Sequence, residues 1–394
     1  MKIRIIKSVM PLFLAIAYFT AIFAQEASPP PAGESAKDME VESSEDTEVE
    51  SMLNDLTIEE KVAQLFFITP EALTGVDGVT VAGSRTAECF AEYPVGGIVY
   101  FSQNLISREQ ISSMLTGMQD ISMNRINLPV FLAVDEEGGP VTRVSGCGIE
   151  GVPEIGDMFS VGKTGDVQQA YQTGAEIGTY LSELHFNVDF APVADVYTNE
   201  ANPVIRRRAF GTDAGTVSQM VPMAVRGLMD AGVEATLKHF PGHGDTAVDS
   251  HAGYACSSKS LDELRSCELL PFKAGIEAGA SFVMAGHISV PNVPGCDTPA
   301  SLSHTMLTEI LRNELGFQKI IITDALNMGA ISNYYTSGQA AVQAILAGAD
   351  MLLMPSDFQS AYAEVCAAVY DGRITEERLN ESVRRILKEK MRLM

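Results

Sequence analysis

Positive charge is scarce in this sequence of 394 residues. It contains 27 lysines and arginines against 51 aspartates and glutamates, which gives a formal net charge of −24. A protein that neutralises nucleic-acid phosphates should present a basic face. The composition therefore argues against nucleic acid as a partner.

Cysteine pairs of the kind that bind zinc are also missing. None of the six cysteines forms a Cys-x-x-Cys motif, which argues against a cysteine zinc site. Their even number is compatible with disulfides, and Cys256 and Cys267 are the predicted local pair. No cysteine lies near the N-terminus, so the sequence offers no lipoprotein-type attachment site.

The N-terminal residues have the pattern of a secretion signal. Three basic residues precede an apolar run over residues 10–23, and Ala24 is a small residue at a possible cleavage site. We predict that residues 1–24 are a signal peptide or, if uncleaved, an N-terminal membrane anchor. Residues 25–54 are rich in Glu, Asp, Ser and Pro and are predicted to be an acidic disordered linker. The folded body, 55–394, is expected to be secreted, extracellular or on the cell surface.

Eight short apolar runs alternate with amphipathic, helix-like segments along the body. They lie at residues 65–68, 97–101, 130–135, 188–191, 235–239, 281–285, 320–324 and 350–354. Continuous apolar strands that alternate with helices indicate a parallel α/β sheet, and eight repeats favour closure into a single (β/α)8 TIM-type barrel. The active sites of such barrels lie at the carboxyl ends of the strands.

Polar residues collect where these predicted strands end. The fifth strand runs into the segment KHFPGHGDTAVDSH (238–251), which holds three of the six histidines. In it, a carboxylate (Asp249) beside an imidazole (His251) would orient the ring and favour its protonated form, as an acid/base group requires. A plain surface loop is the alternative. Asp324 closes the seventh strand, where it could act as a nucleophile or could merely cap the next helix.

Other polar residues at these strand ends suit substrate binding. Lys238 and His239 are interpreted as fixed donors to substrate hydroxyls, and Asp135 and Arg143 as an acceptor and a donor. For the neighbouring run 206–208, an exposed basic cluster is the alternative.

A zinc site is a competing interpretation of the 238–251 segment. His239, His243 and Asp245 would be its ligands. Two glycines and a proline indicate that the segment is no helix, so this spacing does not put the ligands on one face.

Four motifs together resemble glycoside hydrolase family 3, in particular its β-N-acetylglucosaminidase branch: DEEGGPVTR, NPVIRRRAFGTD, KHFPGHGDTAVDSH and ITDALNM. The similarity runs from Leu56 to the C-terminus and implies a (β/α)8 barrel over 55–394. It implies that Asp324 is the nucleophile and that His251 and Asp249 form the acid/base dyad. The sugar-binding positions that it implies are Asp135, Arg143, Arg208, Lys238 and His239.

The chain departs from this family's common patterns in three ways. Glu136 stands where Gln is frequent, Arg206 and Arg207 precede Arg208, and the extra C-terminal domain of some relatives is missing. The first two departures bear on substrate preference and not on the chemistry.

The resemblance implies a retaining exo-β-N-acetylglucosaminidase that releases terminal N-acetylglucosamine through a covalent glycosyl-Asp324 intermediate. Peptidoglycan fragments or chito-oligosaccharides are the expected substrates. No cofactor or metal is expected, and the enzyme is expected to be a monomer. The alternatives are another family 3 β-glycosidase or phosphorylase, a zinc-dependent hydrolase on the same barrel, and a catalytically silent sugar-binding protein.

Overall fold

The computed structural model describes residues 36–247 and 255–394. The predicted signal peptide, 1–24, lies outside these ranges. Within them, no helix combines the length and the apolar composition that crossing a membrane requires. The chain divides into two compact units, Met1–Thr47 and Glu48–Met394.

A helix over Ala36–Asp55 occupies much of the stretch for which the sequence predicts a disordered linker. In the second unit its last turns are ordered by packing, because Val49 and Leu53 are buried in the core. These side chains are four residues apart and so lie on the same helix face. The structure therefore differs from the predicted linker, 25–54, in its C-terminal part.

The second unit is built on an eight-stranded parallel barrel. The strands are β1 (Phe66–Ile68), β2 (Gly97–Val99), β3 (Phe131–Val134), β4 (Val188–Asp189), β5 (Glu234–Phe240), β6 (Phe282–Ala285), β7 (Ile320–Thr323) and β8 (Leu352–Leu353). Their order is β7-β6-β5-β4-β3-β2-β1-β8, and a bridge between Ile322 and Met351 joins the two end strands. The predicted TIM-type barrel is confirmed, with a strand at each of the eight predicted places.

Aromatic side chains fill the inside of the barrel. The Phe67 ring from β1 lies 6.4 Å from that of Phe131 and 5.3 Å from that of Phe190, centroid to centroid. Phe131 in turn packs edge-on against Phe282 of β6 at 5.2 Å. A Cβ at Gly97 would lie 2.5 Å from the Phe67 ring, so β2 must begin with glycine to pass it. This packing explains why the strands read as uninterrupted apolar runs.

Helices surround the barrel. They span Ile58–Gln64, Pro70–Thr74, Ser84–Glu92, Arg108–Ile126, Met158–Lys163, Val167–Glu183, Ala214–Asp230, Leu261–Ser266, Leu269–Glu277, the π-helical Thr305–Glu314, Gly329–Ser332, Ser337–Ala347, Phe358–Tyr370 and Glu376–Met391. Short 3₁₀ turns cover Ser102–Asn104, Ser145–Cys147 and Ala300–Leu302. Two small sheets pair Glu136–Gly138 with Val141–Thr142 and Ala255–Cys256 with Ile288–Ser289.

The last helix, Glu376–Met391, is fastened to the barrel by buried charge. Asp350, just before β8, accepts hydrogen bonds from Arg312 (2.6 Å), Ser382 (2.7 Å) and Arg385 (2.9 Å). Burial raises the pKa of Asp350, but the arginines around it outweigh that effect and hold the pKa below its usual value. Lys390 is buried as well, and its Nζ donates to Gln64 at 2.7 Å.

The predicted disulfide between Cys256 and Cys267 is wrong, because all six cysteines are free thiols. Cys256 is exposed on the short strand that pairs with Ile288–Ser289. Cys267 is half-buried at the break between the helices Leu261–Ser266 and Leu269–Glu277.

Candidate active site at the carboxyl end of the barrel

A cavity of about 290 Å³ opens at the carboxyl ends of the strands. Every site residue predicted from the sequence that the structure describes lines it: Asp135, Arg143, Arg208, Lys238, His239 and Asp324. They come from separate loops and strands of the barrel, so the fold alone brings them together.

Asp324 directly follows β7 and reaches the cavity. Its backbone N–H donates to Ala285 at 2.8 Å, and its Oδ1 accepts from the N–H of Ala325 at 2.8 Å. Burial raises the pKa of Asp324, but the nearby His287 and the Ala325 N–H outweigh that effect, so the pKa lies below its usual value. The next helix begins after Met328 without a side-chain cap, so Asp324 does not cap it. It is an ionised carboxylate at the cavity wall.

A chain of buried charges forms another part of the wall. Lys238 Nζ lies 2.7 Å from Asp135 and 2.6 Å from Glu137, and Arg208 holds Glu137 with two hydrogen bonds of 2.7 and 2.8 Å. Burial raises the pKa of Glu137, but Arg208 and Lys238 overcome this and keep it far below its usual value. Burial lowers the pKa of Lys238, yet the carboxylates bring it above the usual value. Glu137, Lys238 and Arg208 are therefore charged.

Glu137 is a site residue that the sequence analysis missed. The signal was available: side chains two apart in an extended segment point the same way, so Glu137 had to face the same side as Asp135. The same alternation turns Glu136 away. Its carboxylate is buried and accepts from the backbone N–H groups of Arg143 (2.7 Å) and Val144 (2.7 Å). Glu136 thus holds the turn that carries Arg143 and does not face the cavity.

His239 is held between a carboxylate and a guanidinium. Its Nδ1 lies 2.8 Å from Asp195 Oδ2, and its Nε2 lies 3.2 Å from Arg208 Nη2. Asp195 is fully buried and also accepts from the N–H of His243 at 2.7 Å. Asp195 could not be singled out from the sequence, because nothing in its spacing along the chain links it to a histidine 44 residues away.

A family model described as the N-terminal domain of glycosyl hydrolase family 3 matches residues 57–388. The chain belongs to glycosyl hydrolase family 3. The resemblance that its motifs indicated is thereby confirmed.

Curated relatives of this family 3 chain include bacterial β-hexosaminidases. Beta-hexosaminidase A of Pseudoalteromonas piscicida is 33% identical over 339 residues, which are 80% of this chain and 56% of that protein. Beta-hexosaminidase of Stenotrophomonas maltophilia (strain K279a) is 37% identical over 288 residues, 72% of this chain and 82% of that one. The chain thus spans little more than half the length of the first of these relatives.

Among solved structures, a family 3 β-N-acetylglucosaminidase from Paenibacillus sp. str. FPU-7 is similar with a TM-score of 0.80 and 39% identity. The match covers 86% of this chain and 62% of that one. A β-glucoside phosphorylase, BglX, is similar with a TM-score of 0.77 and 26% identity, over 89% of this chain and 61% of that one.

Arg143 differs from Lys238 and Arg208 in the family 3 cavity because it forms no ion pair with any carboxylate that the structure describes. Its guanidinium lies 5.5 Å from the centroid of the Phe101 ring. In the described parts of the chain, no acceptor bonds its buried Nε. Arg206 and Arg207 are exposed, and Arg207 reaches Asp157 at 3.5 Å, as expected of a surface basic cluster.

The predicted dyad residues Asp249 and His251 lie outside the described residues. The chain before them is firmly held. The side-chain amide of Asn202, which is 4% exposed, donates to the carbonyls of His243 and Thr246, both at 2.9 Å. Its oxygen accepts from the N–H of Ile205, in the turn that leads to Arg208.

The three side chains of the zinc interpretation have separate partners. The ring of His239 meets Asp195, that of His243 lies 2.8 Å from the Thr246 hydroxyl, and Asp245 accepts from Ser257 at 2.6 Å. Within 36–247 and 255–394, no group of three such side chains is arranged to bind a metal ion. The geometry of these residues does not support the zinc hypothesis.

Proposed function

We propose that this family 3 hydrolase is a retaining exo-β-N-acetylglucosaminidase that acts on terminal β-linked N-acetylglucosamine. The observation that carries the proposal is the ionised Asp324 in the same cavity as the Asp135–Lys238–Glu137 chain. A carboxylate set among fixed hydroxyl-binding groups suits a nucleophile aimed at the anomeric carbon of a bound sugar. The names of the relatives, β-hexosaminidase and β-N-acetylglucosaminidase, favour N-acetylglucosamine as that sugar.

The size of the cavity supports attack at a chain end. Its volume of about 290 Å³ is at the small end of ligand sites, which measure roughly 300–1,000 Å³. One pyranose fits such a volume better than the interior of a long glycan does. Peptidoglycan fragments and chito-oligosaccharides both offer such an end.

In the proposed mechanism, Asp324 attacks the anomeric carbon while protonated His251 gives its proton to the departing oxygen. The bond to the leaving group breaks as the bond to the Asp324 carboxylate forms. His251 then takes a proton from water, whose oxygen displaces Asp324 and restores the original configuration. Asp249 orients the ring of His251 and favours its protonated form.

The test compares Asp324→Ala and His251→Ala on aryl β-N-acetylglucosaminides with good and poor leaving groups. Asp324→Ala should lose activity on both. His251→Ala should lose roughly 10²–10⁴-fold on the poor leaving group, because general acid catalysis contributes that much, and much less on the good one. Near-normal turnover by Asp324→Ala would refute the mechanism. Early NMR spectra of the product should contain the β-anomer, and a first-formed α-anomer would exclude retention.

A phosphorylase is the second candidate, because the similar BglX is named a β-glucoside phosphorylase. Product analysis with and without inorganic phosphate distinguishes the two: water gives free N-acetylglucosamine, and phosphate gives its 1-phosphate.

We also propose that the enzyme is secreted or held at the cell surface, on the basis of the basic and apolar pattern in residues 1–24. Fractionation of cells that express a C-terminally tagged full chain tests the location. Tag signal confined to the cytoplasm would contradict it.

A further inference from the structure

Asp195 lies in the segment that follows β4 and is fully buried behind the cavity. It accepts three hydrogen bonds. Oδ1 accepts from the backbone N–H of His239 (3.2 Å) and of His243 (2.7 Å), and Oδ2 lies 2.8 Å from His239 Nδ1. One carboxylate therefore fixes both the backbone and the ring of His239.

The partners of the His239 ring define where its proton is. The Asp195 oxygen is an acceptor for Nδ1, so Nδ1 must carry a hydrogen. On the other side of the ring, Nε2 is 3.2 Å from Arg208 Nη2, and a guanidinium can only donate. Nε2 must therefore present its lone pair. A doubly protonated ring would set an N–H of His239 against an N–H of Arg208.

We infer that Asp195 is a positioning residue that holds His239 as the neutral Nδ1–H tautomer and so makes its Nε2 an acceptor for Arg208. His239 then has a different role from the hydroxyl donor that the sequence predicts. His239 Nε2 and the Glu137 carboxylate together orient the guanidinium of Arg208, and Arg208 lines the cavity.

The tautomer matters because the charge chain begins at this ring. Arg208 is fixed by His239 and Glu137, Glu137 also holds Lys238, and Lys238 holds Asp135. A change to the Nε2–H tautomer would break the contact between His239 and Arg208 and would loosen the contacts that follow it. This consequence for catalysis rests on the proposed function, whereas the tautomer itself does not.

Asp195→Asn separates the contacts of Asp195 with the two backbone N–H groups from its contact with the His239 ring. If the amide oxygen keeps the two backbone N–H groups, the amide NH₂ faces His239 Nδ1 and forces the hydrogen to Nε2, against Arg208. Loss of the hydrogen bond between the charged Arg208 guanidinium and His239 Nε2 should lower kcat/KM by about 10- to 100-fold. Inhibition by free N-acetylglucosamine should weaken to a similar extent.

The matched control is Asp189→Asn, on β4 close by in the chain. Asp189 is also fully buried, but it accepts from the Glu136 N–H (2.9 Å) and meets no histidine among the residues that the structure describes. An amide oxygen can accept that bond equally well, so the His239 tautomer and kcat/KM should stay unchanged.

The decisive measurement is long-range ¹H–¹⁵N NMR of the histidine side chains in the full chain, with His239→Gln to assign the signal. The wild type should show a pyridine-type Nε2 and a protonated Nδ1, and Asp195→Asn should show the reverse. A wild-type His239 with Nε2–H, or with both nitrogens protonated, would overturn the inference even if Asp195→Asn fails to fold. An unchanged His239 signal in a folded Asp195→Asn would also overturn it.

The same experiment is independent of the proposed function. The spectrum is recorded without substrate, so the tautomer can be found as inferred in a protein that cleaves no glycoside. Conversely, full glycosidase activity with the opposite tautomer would refute only the role of Asp195.

Discussion

Glu137→Gln tests whether the buried charge chain is as important as its geometry indicates. Glu137 is only 3% exposed, and its carboxylate is the one in the described ranges that touches both Arg208 and Lys238. Glutamine has nearly the same shape but no charge. It would leave Arg208 without its carboxylate and Lys238 with Asp135 alone.

The expected loss of stability is large because Arg208 and Lys238 are largely buried and cannot turn to water in place of the lost carboxylate. Removal of one partner from a buried ion pair costs about 3–5 kcal/mol. The loss should depend on pH. Because the pKa of Glu137 is lowered from 4.5 in the folded state, its contribution is fully present above pH 4.5 and disappears as the pH falls toward the lowered value. The difference between variant and wild type should thus be greatest near neutral pH and shrink in acid.

The control is Glu314→Gln, which breaks a pair of the same geometry at the surface. Glu314 receives two hydrogen bonds of 2.7 Å from Arg265, with 36% and 44% of the two side chains exposed. Exposed pairs contribute little. Urea denaturation of both variants, with kcat/KM on an aryl β-N-acetylglucosaminide, is the assay. Kcat/KM should fall about 10- to 100-fold for Glu137→Gln alone. Equal stability losses in the two variants would refute the argument from burial.

Three further predictions concern the segment that leads to His251 and the buried charges around the last helix. Asn202→Asp would turn an oxygen toward the carbonyls of His243 and Thr246. Activity on substrates with poor leaving groups should then fall more than activity on those with good ones, and an equal fall would contradict a role in acid/base placement. Asp350→Asn should lower the free energy of unfolding in urea by about 3–5 kcal/mol, since it leaves Arg312 buried and unpaired; a change near zero would be inconsistent with this. Burial lowers the pKa of Lys390 to about 7, so the unfolded chain binds the extra proton between pH 7 and 10.5 and wild-type stability should rise there. Lys390→Met should abolish that rise, and a rise that persists in the variant would argue against this lysine as its source.

The fold could be predicted from the sequence to the level of individual strands. Strands such as Ile320–Thr323 are buried on both faces, and for that reason they consist of continuous apolar residues that can be recognised in the sequence. The helix at Ala36–Asp55 could not be predicted, because packing of Val49 and Leu53 onto the core compensates for a weakly apolar sequence.

Residues that line the cavity could be predicted where a polar residue ends a strand, and they were missed where the partner is remote in sequence. Lys238 and Asp324 stand out because a charge follows an apolar run. Asp195 does not, although it too follows a strand, since its role depends on a ring brought to it by folding. Glu136 and Glu137 show a third case, in which neighbouring residues of the same type have opposite orientations.

The chain of ion pairs along the cavity wall has a consequence for how a sugar is received. The side chains of Arg208 and Lys238 are already immobile before any ligand arrives, so their rotational entropy is lost once, during folding, and not again in each encounter. On the proposed function, a sugar would meet donors whose directions are preset, and discrimination between epimers would depend on the stiffness of this wall. It would select by the positions of hydroxyl groups, because it could not rearrange to follow a misplaced one.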